Sequence, residues 1–182
     1  MRAENTGSPN KDTGRKKISD SGSLSPLALC LLAYGTAGIV SGMLLGLMLK
    51  AIQTMTGHRV YRLLLNADYV PVLKEFRLSE WTEFVIHLVI SVVLCIVLGL
   101  LWQRRSRNKI PSAQQMVGVT AAIGALIGLL LYPTTLLSAG GTPPIDSLPA
   151  WLWWGVIHLL YGAASGLLLH TILTLRVLRP YS

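Results

Sequence analysis

Four long stretches of the chain contain no Asp, Glu, Lys or Arg, and each is mainly apolar. A transmembrane helix needs about 20 predominantly apolar residues to cross the hydrocarbon core of a bilayer. The charge-free stretches contain 29, 20, 36 and 29 residues, and they lie between Asp20 and Lys50, Glu83 and Arg104, Lys109 and Asp146, and Asp146 and Arg176. The pattern predicts an all-α integral membrane protein, a four-transmembrane-helix bundle.

The same pattern sets the expected organisation of the chain. We place the four spans at about 27–49, 81–102, 116–137 and 151–175, within a membrane domain covering 26–178. Residues 1–25 are polar with little to bury, which is typical of a disordered tail. Residues 50–80 form a long outer loop between the first two spans. The Tyr132-Pro133 pair should kink or end the third span, because proline cannot continue the helical hydrogen bonding.

The outer loop contains one short candidate element. Tyr61, Leu64 and Leu65 could form the apolar face of a helix that lies on the membrane, with Arg59 and Arg62 toward water. Pro71 would end that helix. A plain loop is the equally weighted alternative, since so few residues give a weak amphipathic signal.

Charge supports the membrane prediction and sets an orientation. The chain carries a net charge of +8, yet only 13% of its residues are charged, against about 25% in a soluble domain. The basic residues flank the apolar stretches and form no stripe on a polar domain, so we expect the lipid bilayer as partner and no nucleic acid. Lys and Arg are more numerous beside the tail, the second connection and the C-terminus than in the outer loop, which favours cytoplasmic termini.

Small residues recur every four positions in three of the spans. Such stripes let helix backbones approach closely where lipid supplies no hydrophobic drive for association. The candidate packing positions are Gly38, Gly42, Gly46, Gly124, Gly128, Gly162 and Gly166. They could form a homo-oligomer interface, but contacts within the bundle are favoured because three of four helices carry a stripe. A homo-oligomer or another membrane-protein partner stays open.

Ionisable residues at membrane depth are candidates for function by default. Glu83 and His87 lie one turn apart in the second span, His158 lies early in the fourth, and Asp146 precedes it. With the orientation above, all four form a candidate polar site on the outer side, and Glu83, His87 and His158 are expected to face one another. The alternative is a neutral histidine hydrogen-bonded to a neighbouring helix. We predict no metal and no cofactor.

Motifs of common enzyme classes are missing from the sequence. It contains no HExxH, no GxSxG and no phosphate-binding loop. Ser91 and His87 are four residues apart, but no oxyanion-hole signal accompanies them. We therefore expect a protein that is not an enzyme.

Roughly the last hundred residues contain an ordered set of residues that is similar to the pattern of a known protein family. His87 and Ser91 are followed by Tyr132-Pro133, then by the connection Gly141-Thr142-Pro143-Pro144-Ile145-Asp146-Ser147-Leu148-Pro149, then by Trp151 and His158. This set resembles the YagU-like family of small bacterial inner-membrane proteins. The resemblance implies a bacterial cytoplasmic membrane location and a multi-span architecture, and it implies no catalytic residue.

The sequence leaves two classes of function open. We expect a non-enzymatic membrane component or an envelope-stress factor. The alternative is permeation or transport of protons or a small cation through an oligomer, because four helices are few for an alternating-access carrier.

Overall fold

The computed structural model describes residues 25–67, 70, 72–73, 76, 78–106, 109–138 and 141–177, with side chains up to 175 in the last range. The predicted tail up to residue 24 and the predicted helix terminator Pro71 lie outside the described residues. Four further basic residues that contribute to the predicted orientation, Lys74, Arg77, Arg107 and Arg179, also lie outside them.

The described elements are helices. They are α1 (Pro26–Thr56), α2 (Val60–Leu65), α3 (Glu80–Arg105), α4 (Ala113–Leu131) with a 3₁₀ turn (Tyr132–Leu137), and α5 (Leu148–Val177). Four of them are long and apolar enough to cross a membrane, over Pro26–Thr56, Glu80–Arg105, Ala113–Leu137 and Leu148–Leu175. The predicted fold class, an all-α bundle of four such helices, is confirmed.

Serine side chains fix where three of the long helices begin. The hydroxyls of Ser25, Ser79 and Ser112 each accept a hydrogen bond from a backbone N–H three residues later. These bonds satisfy donors that the first helical turn leaves without a partner. The helix α1 ends at Gly57, whose φ of 76° is a left-handed conformation that glycine adopts without strain.

The helices extend beyond the apolar spans that the sequence delimits. Residues 50–56, which the sequence analysis assigns to the outer loop, form the last turns of α1. A charge such as that of Lys50 ends an apolar span but does not end a helix, so α1 continues until Gly57. At Tyr132-Pro133 the α-helix stops at Leu131 and a 3₁₀ turn follows, as the proline predicts.

The long helices run alternately in opposite directions. The main interfaces are those of α1 with α3, α1 with α5, and α4 with α5, so α1 lies between α3 and α5 while α4 packs on α5. One end of the bundle carries α2 and the 3₁₀ turn, and we call it the α2 end. The opposite end carries the connection from α3 to α4.

Two apolar clusters form the core. One lies at the α2 end and includes Leu49, Leu64, Tyr132 and Trp154. The other lies toward the opposite end and includes Tyr34, Trp102, Met116 and Leu169. The helix midpoints lie between these clusters.

The short helix α2 exists, but its apolar face lies against protein. Tyr61, Leu64 and Leu65 are all buried, and α2 packs on α1, α3 and α5. Burial and the Glu80 carboxylate, to which the Tyr61 hydroxyl is hydrogen-bonded, raise the pKa of Tyr61. Lys50 pairs with the same carboxylate at 3.3 Å. Neither of the two equally weighted alternatives, a helix lying on the membrane or a plain loop, describes this segment: it is a helix, and its apolar face packs on the bundle.

Candidate functional site

His158 is a buried residue at the interface of α5 with α4. Its side chain is 3% exposed, and its Nδ1 atom lies 2.9 Å from the Trp154 carbonyl oxygen one turn earlier. The ring packs on the Trp154 indole with centroids 4.3 Å apart. Gly128 of α4 faces the ring so closely that a Cβ there would lie 2.7 Å from His158 Cβ. The histidine is therefore held by packing as well as by its hydrogen bond.

His87 lies on α3 and is half-buried. It is close enough to His158 for the two rings to interact electrostatically. The two histidines of the predicted polar site are thus within range of an electrostatic interaction between α3 and α5.

The two carboxylates of the predicted site interact electrostatically with different tyrosines. Glu83 is half-buried and acts electrostatically on Tyr61 of α2. Asp146 is exposed and acts on Tyr132 at the end of α4. Among the described residues, no group of three or more His, Cys, Asp and Glu side chains could hold a metal ion. The described contacts therefore link the two histidines to each other electrostatically, and each carboxylate to a tyrosine.

The seven candidate glycines lie at contacts between helices of the same chain. A Cβ at Gly38 would lie 2.6 Å from Val92 Cα, and Gly42 and Gly46 face Ser91 and Phe84 of α3. On the other side of the bundle, the glycines of α4 (Gly124 and Gly128) and of α5 (Gly162 and Gly166) bring those two helices together. All three stripes are therefore occupied by close contacts within the bundle.

A buried hydrogen-bonded group lies where α1, α3 and α5 meet. We call it the midplane cluster, and its members are Ser41, Ser91, Cys95, Tyr161 and Ser165. The Ser91 hydroxyl donates to the Gly38 carbonyl at 2.8 Å and lies 2.9 Å from the Tyr161 hydroxyl. Ser41 Oγ lies 3.8 Å from Cys95 Sγ, which also interacts with the Tyr161 hydroxyl.

The position of the midplane cluster follows from the helix bounds. Ser41 is at the midpoint of α1, and the members on α3 and α5 lie within about one turn of their helix midpoints. If the four helices cross a bilayer, this group is in the middle of the hydrocarbon. Water is scarce there, so each polar group must find a partner within the protein.

The midplane cluster meets that requirement. The only buried side-chain oxygen or nitrogen in the described parts of the chain without a hydrogen-bond partner is Ser106 Oγ, at the end of α3. Ser91 is bonded to a carbonyl and to a tyrosine hydroxyl, so the structure directs it away from the serine–histidine pairing with His87 that a hydrolase would need. The Ser91 hydroxyl is therefore a polar contact that joins α3 to α1 and α5.

The sequence analysis considered Ser91 but not the cluster members Ser41, Tyr161 and Ser165. The available signal was a pair of polar side chains four residues apart near the middle of two different spans, Ser91 with Cys95 and Tyr161 with Ser165. Residues at this spacing share a helix face, so two such pairs at equal depth indicate a contact.

The connection before α5 is tied to both neighbouring elements. The Tyr132 hydroxyl donates to the Pro144 carbonyl at 3.0 Å, and the Trp151 indole donates to the Ile145 carbonyl at 2.7 Å. The two rings stack with centroids 4.0 Å apart. The Trp154 indole donates to the Gly128 carbonyl at 2.7 Å, which joins this arrangement to His158. Aromatic side chains therefore connect the loop to the histidine.

Comparison with known proteins adds no assignment: no family model, no curated protein and no solved structure matches the chain. The resemblance to the YagU-like family remains a prediction from the residues that carry it.

Proposed function

We propose that this chain is a non-enzymatic, multi-pass component of the bacterial inner membrane that acts as an assembly partner or in envelope stress. The observation that carries the proposal is the closed interior of the bundle. The hydroxyls of the midplane cluster bond to one another and to backbone carbonyls, and glycines bring the helices into close contact on both sides. An interior of this kind offers no described nucleophile with an adjacent base.

The distribution of charge supports termini on the cytoplasmic side. Over the full sequence, eleven Lys and Arg lie in the tail, the second connection and the C-terminus, against five in the predicted outer loop. Among the described residues, Lys50, Arg59 and Arg62 are at the α2 end, while Arg104, Arg105 and Lys109 are at the opposite end, where α1 begins and α5 ends. Lys and Arg concentrate on the cytoplasmic side of membrane proteins. A reporter fused after Ser182 should therefore be active in the cytoplasm. An extracytoplasmic reporter would contradict the orientation.

A partner would have to bind the outer surface of the bundle, since the interior is filled. The helix α3 has the smallest buried share of the four spanning windows, 22% against 33% to 44% for the others. Its exposed side chains recur every four residues and include Val85, Val89, Val93, Val97 and Leu101. This row is a continuous apolar surface open to a neighbouring membrane helix or to lipid.

Photo-cross-linking in native membranes tests the assembly role. A photoreactive amino acid replaces Val93 of α3, and the same residue replaces Leu130 of α4 as the matched exposed control. The proposal predicts a protein adduct of one defined mass from position 93 and none from position 130. Lipid adducts alone from both positions would contradict an assembly role.

Permeation of protons or a small cation through an oligomer is the second candidate, and the histidine pair favours it. His87 is half-buried, and it interacts electrostatically with the buried His158. Permeation predicts that reconstituted protein dissipates a pH gradient across liposomes and that His87→Ala slows this leak. The role as a non-enzymatic component predicts that liposomes with the protein leak protons no faster than protein-free liposomes. A pH-sensitive dye inside the liposomes measures the difference.

A further inference from the structure

A cavity opens at the end of the bundle opposite α2, between the end of α3 and the start of α4. Its volume is about 520 Å³, and it is lined by Arg105, Lys109, Ile110, Pro111, Ser112 and Gln115. It is separate from the histidine pair and from the midplane cluster, which lie on the other side of the helix midpoints or at them. The proposed function makes no use of it.

The charge around this cavity is positive. Arg105 and Lys109 are both exposed cations on its wall, and Arg104 is the neighbouring residue in the last turn of α3. The carboxylates in the described part of the chain, those of Glu80, Glu83 and Asp146, lie at the other end of the bundle. None of them can neutralise these cations across the length of the spanning helices. A ligand that fits the cavity is therefore an anion.

The remaining lining residues narrow the chemistry of that anion. Ser112 and Gln115 place uncharged polar groups at the first turn of α4, where the helix dipole also favours negative charge. Ile110 and Pro111 contribute an apolar wall. This combination suits a phosphodiester that carries a polar head and an apolar tail: the cations would bind the phosphate, the uncharged polar groups the head, and the apolar wall the start of the tail. A free inorganic anion would have no use for the apolar wall.

The surface beside the cavity favours a lipid as the source of that phosphodiester. Arg105 follows Leu101 and Val97 at intervals of four residues on α3, and both of these side chains are exposed, by 54% and 46%. Residues at this spacing lie above one another on one helix face. An acyl chain lying along Val97 and Leu101 would bring its headgroup to Arg105.

We propose that this cavity binds the phosphodiester headgroup of an anionic phospholipid, with Arg105 and Lys109 as its cationic contacts. Basic pockets beside transmembrane helices recognise such headgroups in general. The site requires that the helices span a bilayer, and it does not depend on their orientation. Its acyl chain would occupy Val97 and Leu101, so a partner helix on the same row of α3 would bind nearer the α2 end, at Val85, Val89 and Val93.

Native mass spectrometry of the purified full chain tests the site. The protein is equilibrated with equal amounts of dioleoylphosphatidylglycerol, which is anionic, and dioleoylphosphatidylcholine, which is neutral overall. Wild type should retain phosphatidylglycerol in preference to phosphatidylcholine. Arg105→Gln or Lys109→Gln should lower that preference about five-fold each, because one cation near the headgroup is removed.

Arg59→Gln is the matched control, since Arg59 is an exposed arginine at the α2 end and should leave the preference unchanged. Raising the salt concentration should weaken the preference of wild type, which tests the electrostatic contact without any variant. A parallel measurement with inorganic phosphate in place of lipid shows whether the cavity binds a free anion rather than a lipid headgroup.

Three results would overturn the proposal. One is an equal preference in wild type and in both cavity variants. Another is a loss in Arg59→Gln as large as that in Arg105→Gln, which would indicate a response to net charge only. The last is retention of inorganic phosphate without selection between the two lipids, which would assign the cavity to a free anion.

Discussion

The contact between α4 and α5 depends on glycine at position 162, and one added methyl group tests it. A Cβ at Gly162 would lie 2.8 Å from Ala121 Cα and closer still to the Thr120 carbonyl oxygen. Both atoms belong to the backbone of α4, so no side-chain rotation can make room. Gly162→Ala must therefore move the two helices apart.

The size of the effect follows from that distance. Ordinary contacts of a Cβ begin at 3.4 Å, so the Ala121 contact alone requires the helices to separate by about 0.6 Å, and the nearer Thr120 carbonyl oxygen requires more. A gap of roughly 0.5–1 Å loses about a quarter to a half of the dispersion attraction at each contact. Overpacking of this kind costs about 1–3 kcal/mol. Alanine also favours the helical backbone by about 1 kcal/mol over glycine, which hides part of the cost.

Gly118→Ala is the matched variant that removes this ambiguity. Gly118 also lies in a spanning helix, but a Cβ there meets nothing within 4 Å. The gain in helix propensity is common to both variants, so the difference between them isolates the helix contact. We expect Gly162→Ala to be about 1–3 kcal/mol less stable than Gly118→Ala. Denaturation in mixed micelles, followed by circular dichroism, gives the free energy of unfolding. Equal stability of the two variants would refute a close α4–α5 contact.

Three further substitutions test other parts of the bundle. Tyr161→Phe should lower the free energy of unfolding by only about 0.6 kcal/mol, because Ser91 keeps its hydrogen bond to the Gly38 carbonyl. A loss several times larger would show that the position of Ser91 depends on the tyrosine hydroxyl. Trp154→Phe should cost about 1–2 kcal/mol of unfolding free energy, since the bond to the Gly128 carbonyl and part of the packing on His158 are removed, and an unchanged value would contradict this bond. Burial and Glu80 raise the pKa of Tyr61, so its neutral form stabilises the fold below the ordinary value of 10.0 and this contribution falls as the pH rises above it. Tyr61→Phe should therefore lose less stability than wild type when the pH is raised past this range, and identical losses would exclude this contribution.

The membrane fold could be predicted from the sequence because charge-free length alone identifies spanning helices. The glycines that make helix contacts could also be predicted, because their four-residue spacing is visible in the sequence. Which helix each stripe contacts was not readable. Gly38 faces Val92 and Gly162 faces Ala121. Those pairings depend on which helices are neighbours in the bundle, and the apolar spans do not indicate this order.

The candidate site was predictable only in part. His87 and His158 come near each other because their depths on α3 and α5 match, and depth can be counted from the start of each span. The tyrosines that interact electrostatically with Glu83 and Asp146 were not predicted, because α2 and the 3₁₀ turn bring them there and neither element has a strong sequence signal. Ser41 was overlooked because a single buried serine can bond its own helix backbone, as it does here at 2.8 Å to the Ala37 carbonyl.

The most direct test of a closed interior uses a native side chain, the thiol of Cys95 in the midplane cluster. Cys95 has 0% exposure, and Cys30 is 2% exposed, so a Cys30→Ala background isolates the first thiol. A small water-soluble thiol reagent reacts with the thiolate, which requires water at the sulfur. With the protein in lipid nanodiscs, we predict that Cys95 stays unmodified until the fold is disrupted by denaturant. Modification in the intact protein at a rate near that of the denatured chain would show a water-filled path to the midplane and contradict the closed bundle.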